Sequence, residues 1–98
     1  MAYNINILQS ASADYFTISA DLLEYSQKQS TVFVESFQKF LGTVSTMPLL
    51  YPKYNKKPKF RKAAIAYGYV AFYKVNKKTK TVEIHRIFSS KQNIENLL

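Results

Sequence analysis

The amino-acid sequence predicts an α+β fold in which a helical hairpin covers one face of an antiparallel sheet. Between residues 13 and 47, apolar side chains recur at spacings of three and four, which is the period of a helix. Between residues 60 and 88 they occur instead in three short runs rich in β-branched and aromatic residues, separated by turn sequences. The chain has 98 residues, so a single domain over residues 1–98 is expected.

A short strand over residues 3–8 is predicted to precede two helices. The first helix runs from residue 13 to about residue 28, with its N-cap at Ser10 or Ser12. The second follows a cap at Ser30 or Thr31 and is stopped by a proline. Because only a few residues link them, the helices should form an antiparallel hairpin. Their apolar stripes are Tyr15, Ile18, Leu22 and Tyr25 in the first helix, and Phe33, Phe37, Phe40, Val44 and Met47 in the second.

The second half of the chain is predicted to be mostly sheet. Residues 48–59 hold all three prolines and should form an irregular loop. Three strands follow as an antiparallel meander, over residues 60–66, 69–75 and 81–88, and then a helix over residues 91–98. The order is β-α-α-β-β-β-α. The first strand is expected to join the edge of the meander, which leaves the sheet face opposite the helices open.

Composition excludes several kinds of site. The absence of cysteine excludes disulfides, thiol catalysis and cysteine-based zinc sites. No Gly-rich phosphate loop and no spacing typical of metal ligands occurs, so we expect neither cofactor nor metal. The N-terminus lacks the pattern of a signal peptide, and no apolar run is long enough to cross a membrane. A cytoplasmic protein with no membrane contact is the expectation.

Charge is distributed unevenly along the chain. Residues 1–50 contain two Lys or Arg against four Asp or Glu, whereas residues 51–98 contain twelve against two. The net charge of +8 therefore comes entirely from the second half. Such a field attracts polyanions, including nucleic acid and acidic proteins, although scattered lysines also serve simply as a solvated surface.

Several strings in the second half, taken in order, resemble the RelE/ParE toxins of bacterial toxin–antitoxin pairs. The strings are the proline-containing linker from Pro48 to Pro58, Phe-Arg-Lys at residues 60–62, Tyr-Val-Ala-Phe-Tyr-Lys-Val at 69–75, Val-Glu-Ile-His-Arg-Ile at 82–87 and Asn-Ile-Glu-Asn-Leu-Leu at 93–98. The resemblance implies the same fold and a toxin that arrests bacterial growth. It also implies a cognate antitoxin as partner, with operator DNA bound only through the antitoxin complex.

The resemblance leaves two targets open. ParE-like members inhibit DNA gyrase, whereas RelE-like members are mRNA interferases, which cut mRNA on the ribosome. The chain ends in Ile-x-x-Leu-Leu, closer to the ParE-like pattern, and residues 89–93 lack the Tyr or His that RelE-like enzymes often place there. The ParE-like branch is therefore favoured. A further hypothesis, independent of the family, is an RNA-binding module that uses Tyr69, Tyr73, Lys74 and Arg86.

Candidate site residues follow from these hypotheses. Metal-independent RNA cleavage needs an acid and a base, together with cations for the developing phosphorane charge. The catalytic candidates are Arg61, Arg86 and the only histidine, His85. Strand alternation places Glu83, His85, Ile87 and Ser89 on the open face, and Val82, Ile84 and Phe88 towards the helices. Candidates for binding the target or nucleic acid are Lys53, Lys56, Lys57, Lys59, Arg61, Lys62 and Lys91. Candidates for binding an antitoxin are Phe33, Phe37, Tyr69 and Tyr73.

Overall fold

The predicted order of elements is confirmed in the computed structural model, which describes residues 2–92 and 94–98. The elements are β1 (Asn4–Ile7), α1 (Gln9–Tyr25), α2 (Gln27–Thr46), β2 (Arg61–Ile65), β3 (Tyr69–Asn76), β4 (Thr81–Ser89) and α3 (Ile94–Leu97). A short 3₁₀ turn, Ala66–Gly68, joins β2 to β3. The helix predicted over residues 91–98 is confirmed only as α3, and Asn93 lies outside the described residues.

The sheet is mixed rather than wholly antiparallel. Its strand order is β1-β4-β3-β2, and β2, β3 and β4 form the predicted antiparallel meander. The first strand adds to the edge of this meander as expected, but it runs parallel to β4, with Asn4 opposite Thr81. The prediction of an antiparallel sheet is wrong for this pair. No hairpin turn joins β1 to β4, so turn geometry does not impose a direction on their pairing.

The helical hairpin is tighter than predicted. Helix α1 begins at Gln9 instead of residue 13, and Ser10 is no cap, because its hydroxyl donates a hydrogen bond to the carbonyl oxygen of His85 (2.7 Å). A single extended residue, Ser26, separates the two helices, and its Oγ accepts the N–H of Gln29 (3.0 Å). Ser26 therefore caps α2, in place of Ser30 or Thr31. The hydroxyl of Ser30 instead donates to the carbonyl of Ser19 in α1 (3.0 Å), which ties the helices together.

The main core lies between the helices and one face of the sheet. Helix α2 contributes the predicted stripe, except for Met47, which caps the helix end and is 51% exposed. The sheet contributes an alanine and one larger side chain from each of β2 and β3, and three branched side chains from β4. The buried residues of this core are Ala11, Ile18, Leu22, Phe33, Phe37, Phe40, Val44, Ala63, Ile65, Ala71, Tyr73, Val82, Ile84 and Ile87.

A second cluster, formed by Phe60, Phe72 and Phe88, lies on the other face of the sheet. That face was expected to be open, but Tyr54, Val70, Ile94 and Leu98 pack against the three rings. The predicted alternation of β4 is correct up to His85 and wrong beyond it. Pairing between β3 and β4 shifts between Phe72 and Tyr73, so β4 carries one extra residue at His85. As a result Ile87 enters the main core and Phe88 the second cluster.

Tyr73 is the largest fully buried side chain and connects the sheet to the proline loop. Its hydroxyl donates a hydrogen bond to the carbonyl oxygen of Pro48 (3.0 Å). Burial raises the pKa of its phenol from 10.0 to about 12, because an anionic phenolate would lose its hydration in the core. The buried hydroxyl therefore stabilises the fold only while it keeps its proton.

Replacing Tyr73 with Phe tests this contact. Tyr73→Phe removes the donor and leaves the carbonyl of Pro48 without its partner, so we expect the free energy of unfolding to fall by about 1–2 kcal/mol. Urea denaturation followed by circular dichroism measures the change. The matched control is Tyr25→Phe, because the Tyr25 side chain is 82% exposed and its hydroxyl has water as an alternative partner. Equal losses for both variants would contradict a specific role for the buried hydroxyl.

The raised pKa of Tyr73 also predicts a pH dependence of stability. Folding holds the phenolic proton more tightly than the unfolded chain does, so its contribution is complete below about pH 10. We expect the stability advantage of the wild type over Tyr73→Phe to shrink as the pH rises from about 10 to 12. Urea denaturation of both proteins at successive pH values measures it. A difference that stays constant across this range would show that the phenol is not perturbed.

Candidate functional site

Arg61 holds the proline loop against the sheet. One of its guanidinium nitrogens, Nη1, donates to the carbonyl oxygens of Tyr51 (2.7 Å) and Leu49 (3.4 Å). Arg61 shares the helix side of β2 with Ala63 and Ile65, which lie in the main core. The side chain predicted to be catalytic therefore has a structural partner on the loop.

Arg61 and three lysines line a cavity at the junction of the proline loop and the sheet. It measures about 180 Å³ and is referred to below as the cationic cavity. Its lining consists of Leu49, Lys53, Pro58, Lys59, Arg61, Val75 and Lys77. Lys53 reaches this place because it forms an isolated β-bridge with Arg61. Three of the four cations were named as individual binding candidates; Lys77, from the turn between β3 and β4, was not.

His85 lies on the other side of the sheet from Arg61. Its Nε2 is 3.5 Å from Oε1 of Glu83, and its ring meets the edge of Phe60 with centroids 5.1 Å apart. The side chains of Glu83 and His85 both face away from the helices, as strand alternation predicted. The imidazole is half-buried between a carboxylate and an aromatic ring.

Arg86 is bound to helix α1. Its Nε donates to Oδ2 of Asp14 (2.7 Å) and its Nη2 to Oδ1 (3.0 Å), a bidentate ion pair. Asp14 also accepts the backbone N–H of Ile87 (3.0 Å), and the guanidinium stacks on Phe88 at 4.5 Å from the ring centroid. The hydrogen bonds that Arg86 donates to Asp14 raise the pKa of the guanidinium above its ordinary value. This pair fixes α1 to β4 immediately after the extra residue at His85.

The remaining basic candidates are spread over the surface. Lys62 lies over the ring of Tyr54 (5.7 Å) and Lys74 over that of Phe60 (4.6 Å), so both cations cover aromatic faces. Lys57 is half-buried, and Lys56 and Lys91 are exposed. The structure thus brings Lys53, Lys59 and Arg61 together, but not the other four predicted target-binding lysines.

Most side chains predicted to bind an antitoxin are in the main core. Phe33 and Tyr73 are fully buried, so their side chains are not accessible to a partner in this conformation. Phe37 is 4% exposed and lines the apolar groove beside Phe16, so its role stays a prediction. Tyr69 is half-buried, packs against Phe33, and lines a polar cavity that also contains Asp14 and Arg86. Its role stays a prediction. The burial of Tyr73 also weakens the hypothesis of an RNA-binding module based on stacking.

An apolar surface on α1 was not singled out by the sequence. Phe16 is 65% exposed and Leu23 55% exposed. Phe16 borders a mostly apolar groove together with Ile7, Tyr15 and Leu41. Helical periodicity identifies the buried stripe of a helix, but gives no reason for large apolar residues on the opposite side.

Neither a metal site nor a membrane span is found where the chain is described. Across residues 2–92 and 94–98, His, Asp and Glu form no group of three that would hold a metal ion. Within the same ranges, none of the helices combines the length and apolarity that crossing a bilayer requires.

Comparisons with known proteins agree with the fold. Residues 5–94 match the family model described as "ParE toxin of type II toxin-antitoxin system, parDE". A comparison with curated protein sequences gives no match.

Solved structures with the same fold come from several bacterial toxins. The chromosomal ParDE system from P. aeruginosa is similar with a TM-score of 0.75 and 14% identity, over 92% of this chain and 98% of that one. A mutant of the E. coli toxin RelE in the free state has a TM-score of 0.70 and 18% identity, over 100% of both chains. The RelBE2 toxin–antitoxin complex of Mycobacterium tuberculosis has a TM-score of 0.59 and 19% identity, over 91% and 99%. At these identities the likeness concerns the fold.

The ion pair between Asp14 and Arg86 can be tested by substitution. Asp14→Ala removes two charge-assisted hydrogen bonds and leaves the N–H of Ile87 without its acceptor, so we expect a loss of roughly 2–3 kcal/mol in unfolding free energy. Asp21→Ala is the matched control, because Asp21 lies exposed on the same helix beside the same cavity. Thermal and urea denaturation measure both variants. A loss below that of the control would mean that the pair does not stabilise the fold.

Proposed function

The chain belongs to the family of ParE toxins of type II toxin–antitoxin systems, and from this membership we propose that it arrests bacterial growth by inhibiting DNA gyrase. A gyrase inhibitor acts by binding and needs no acid, base or nucleophile of its own. The surface that meets gyrase is expected to include the basic half of the chain, which carries a net charge of +10 over residues 51–98.

The observation that supports gyrase over RNA cleavage is the arrangement of the three catalytic candidates. Arg61 lies on the helix side of the sheet, whereas His85 and Arg86 contact the second cluster on the other side. Both arginines are also hydrogen-bonded within the fold. Acid–base catalysis requires the acting groups to converge on one scissile bond within hydrogen-bonding reach. These three residues do not surround a common point.

A cognate antitoxin is the expected protein partner. The similar structures from P. aeruginosa and M. tuberculosis are a ParDE toxin–antitoxin system and a RelBE2 toxin–antitoxin complex. By analogy, an antitoxin neutralises this toxin, and the complex, not the free toxin, binds operator DNA.

The competing hypothesis is a ribosome-dependent mRNA interferase. In its favour, the fold is similar to that of RelE over the whole chain, and three loop or turn lysines accompany Arg61 in the cationic cavity. Under this hypothesis the cations contact RNA phosphates, and His85 serves as the acid or base.

We expect the purified toxin to inhibit supercoiling of relaxed plasmid by DNA gyrase, with ATP present and at increasing toxin concentration. Gel electrophoresis of the topoisomers measures the supercoiled fraction. Relaxation of the same plasmid by topoisomerase I is the control, because a basic protein that merely coats DNA would inhibit both reactions. Normal supercoiling at saturating toxin would rule out gyrase as the target.

We expect His85→Gln to arrest bacterial growth as strongly as the wild type, because gyrase inhibition uses no imidazole. Colony counts after induction measure toxicity, and primer extension on cellular mRNA detects cuts on ribosomes. The control is the wild-type protein expressed to the same level. Loss of toxicity together with loss of mRNA cuts in the variant would instead establish the interferase.

A further inference from the structure

We propose that the cationic cavity is the site at which an acidic segment of the antitoxin places a carboxylate. The inference rests on the proposed function for the existence of that partner. It goes further by naming the site on the toxin and the chemistry of the segment that occupies it.

Arg61 is prepared to bind an oxyanion in this cavity. Its two hydrogen bonds to the loop both come from Nη1 and fix the plane of the guanidinium. Nε and Nη2 make no hydrogen bond within the described residues, so they remain available as a pair of parallel donors. A guanidinium held in this way matches the two oxygens of a carboxylate.

The charges around the cavity are unbalanced. Lys53, Lys59 and Lys77 line it together with Arg61, and none of the acidic side chains that the structure describes does so. Four like charges around a space of about 180 Å³ repel one another, and an anion relieves this repulsion. The lysine heads are exposed, so each contributes modestly and their effect depends on salt.

The walls of the cavity favour an acidic peptide over a nucleic acid. Three of the seven lining residues are apolar, namely Leu49, Pro58 and Val75, and no aromatic ring is among them. Nucleic acid held without sequence preference uses aromatic platforms for its bases as well as cations for its phosphates. A peptide that alternates carboxylates with aliphatic side chains would meet both the cations and the apolar walls.

The test compares two triple variants of the full-length toxin. Lys53→Gln/Lys59→Gln/Lys77→Gln removes three charges from the cavity while keeping Arg61, whose contacts hold the loop. Lys28→Gln/Lys39→Gln/Lys78→Gln removes the same charge from exposed lysines outside it. Circular dichroism and thermal melting establish that both variants fold like the wild type.

The binding probes are a fluorescein-labelled twelve-residue peptide of alternating Glu and Leu, and a fluorescein-labelled twelve-nucleotide oligodeoxythymidylate. Fluorescence anisotropy at low salt measures the dissociation constant of each. We expect the cavity variant to bind the peptide roughly tenfold more weakly than the wild type, and the control variant to change by less than about twofold.

Three results would overturn the proposal. The first is that the wild type does not bind the peptide. The second is that both variants bind the peptide more weakly by the same factor, which would indicate a general charge effect. The third is that the cavity variant no longer binds the oligonucleotide but binds the peptide as well as the wild type does, which would make the cavity a phosphate site for nucleic acid.

Growth assays separate this proposal from the function on which it rests. The wild-type toxin, expressed without any antitoxin, should arrest growth if the proposed function is correct, and this result does not depend on the cavity. Absence of arrest by the wild type would count against the proposed function. If the wild type arrests growth but the cavity variant binds the peptide as tightly as the wild type does, the result would count against the role of the cavity and not against the proposed function.

Discussion

The shift of pairing at His85 is the constraint on which the arrangement of the sheet depends. Before it, β4 directs Val82 and Ile84 towards the helices; after it, Ile87 takes that role and Phe88 turns to the other face. One strand thereby serves two hydrophobic clusters, and its pairing to β3 resumes at Arg86 after the unpaired His85. Strict alternation would have directed Phe88 to the helices and Ile87 away from them, and it would have left the second cluster without a third ring.

The same shift explains why Arg86 has a partner. Pairing of β1 with β4 ends at Ile84, so the edge of β4 beyond that point has no strand beside it. Asp14 takes this place, since its carboxylate accepts the N–H of Ile87 and both donors of the guanidinium. A carboxylate satisfied by three donors is a stable substitute for a neighbouring strand. Arg86 consequently has a structural partner within the fold, and its catalytic role stays a prediction.

Periodicity was sufficient to predict the order of the elements and most of the main core, although Tyr25 and Met47 of the predicted stripes are exposed. The stripe of α2 from Phe33 to Val44 is a property of one segment, so its spacing alone identifies it. Periodicity could not predict three other features, namely the direction of β1, the extra residue at His85 and the cap at Ser26. Each depends on contacts between residues distant in sequence or on a choice among several serines, and no local pattern records them. Tyr73 was named as an antitoxin-binding candidate, and its burial was not foreseen for the same reason, because its place in the core follows from the pairing register.

Charge and position have to be distinguished to understand the basic half of the chain. Its twelve basic and two acidic residues are evident in the sequence, but most of the basic side chains either contact other side chains or lie apart from one another. Lys62 and Lys74 cover aromatic rings, and Arg86 forms an ion pair with Asp14. Only where the proline loop is drawn against the sheet do several converge. That convergence depends on two polar contacts: a buried one from the hydroxyl of Tyr73 to the carbonyl of Pro48, and a partly buried one from Arg61 to the carbonyl of Tyr51. The loop that carries Lys53 and Lys59 is therefore held against the sheet by contacts that the core provides, and these contacts define the shape of the cationic cavity.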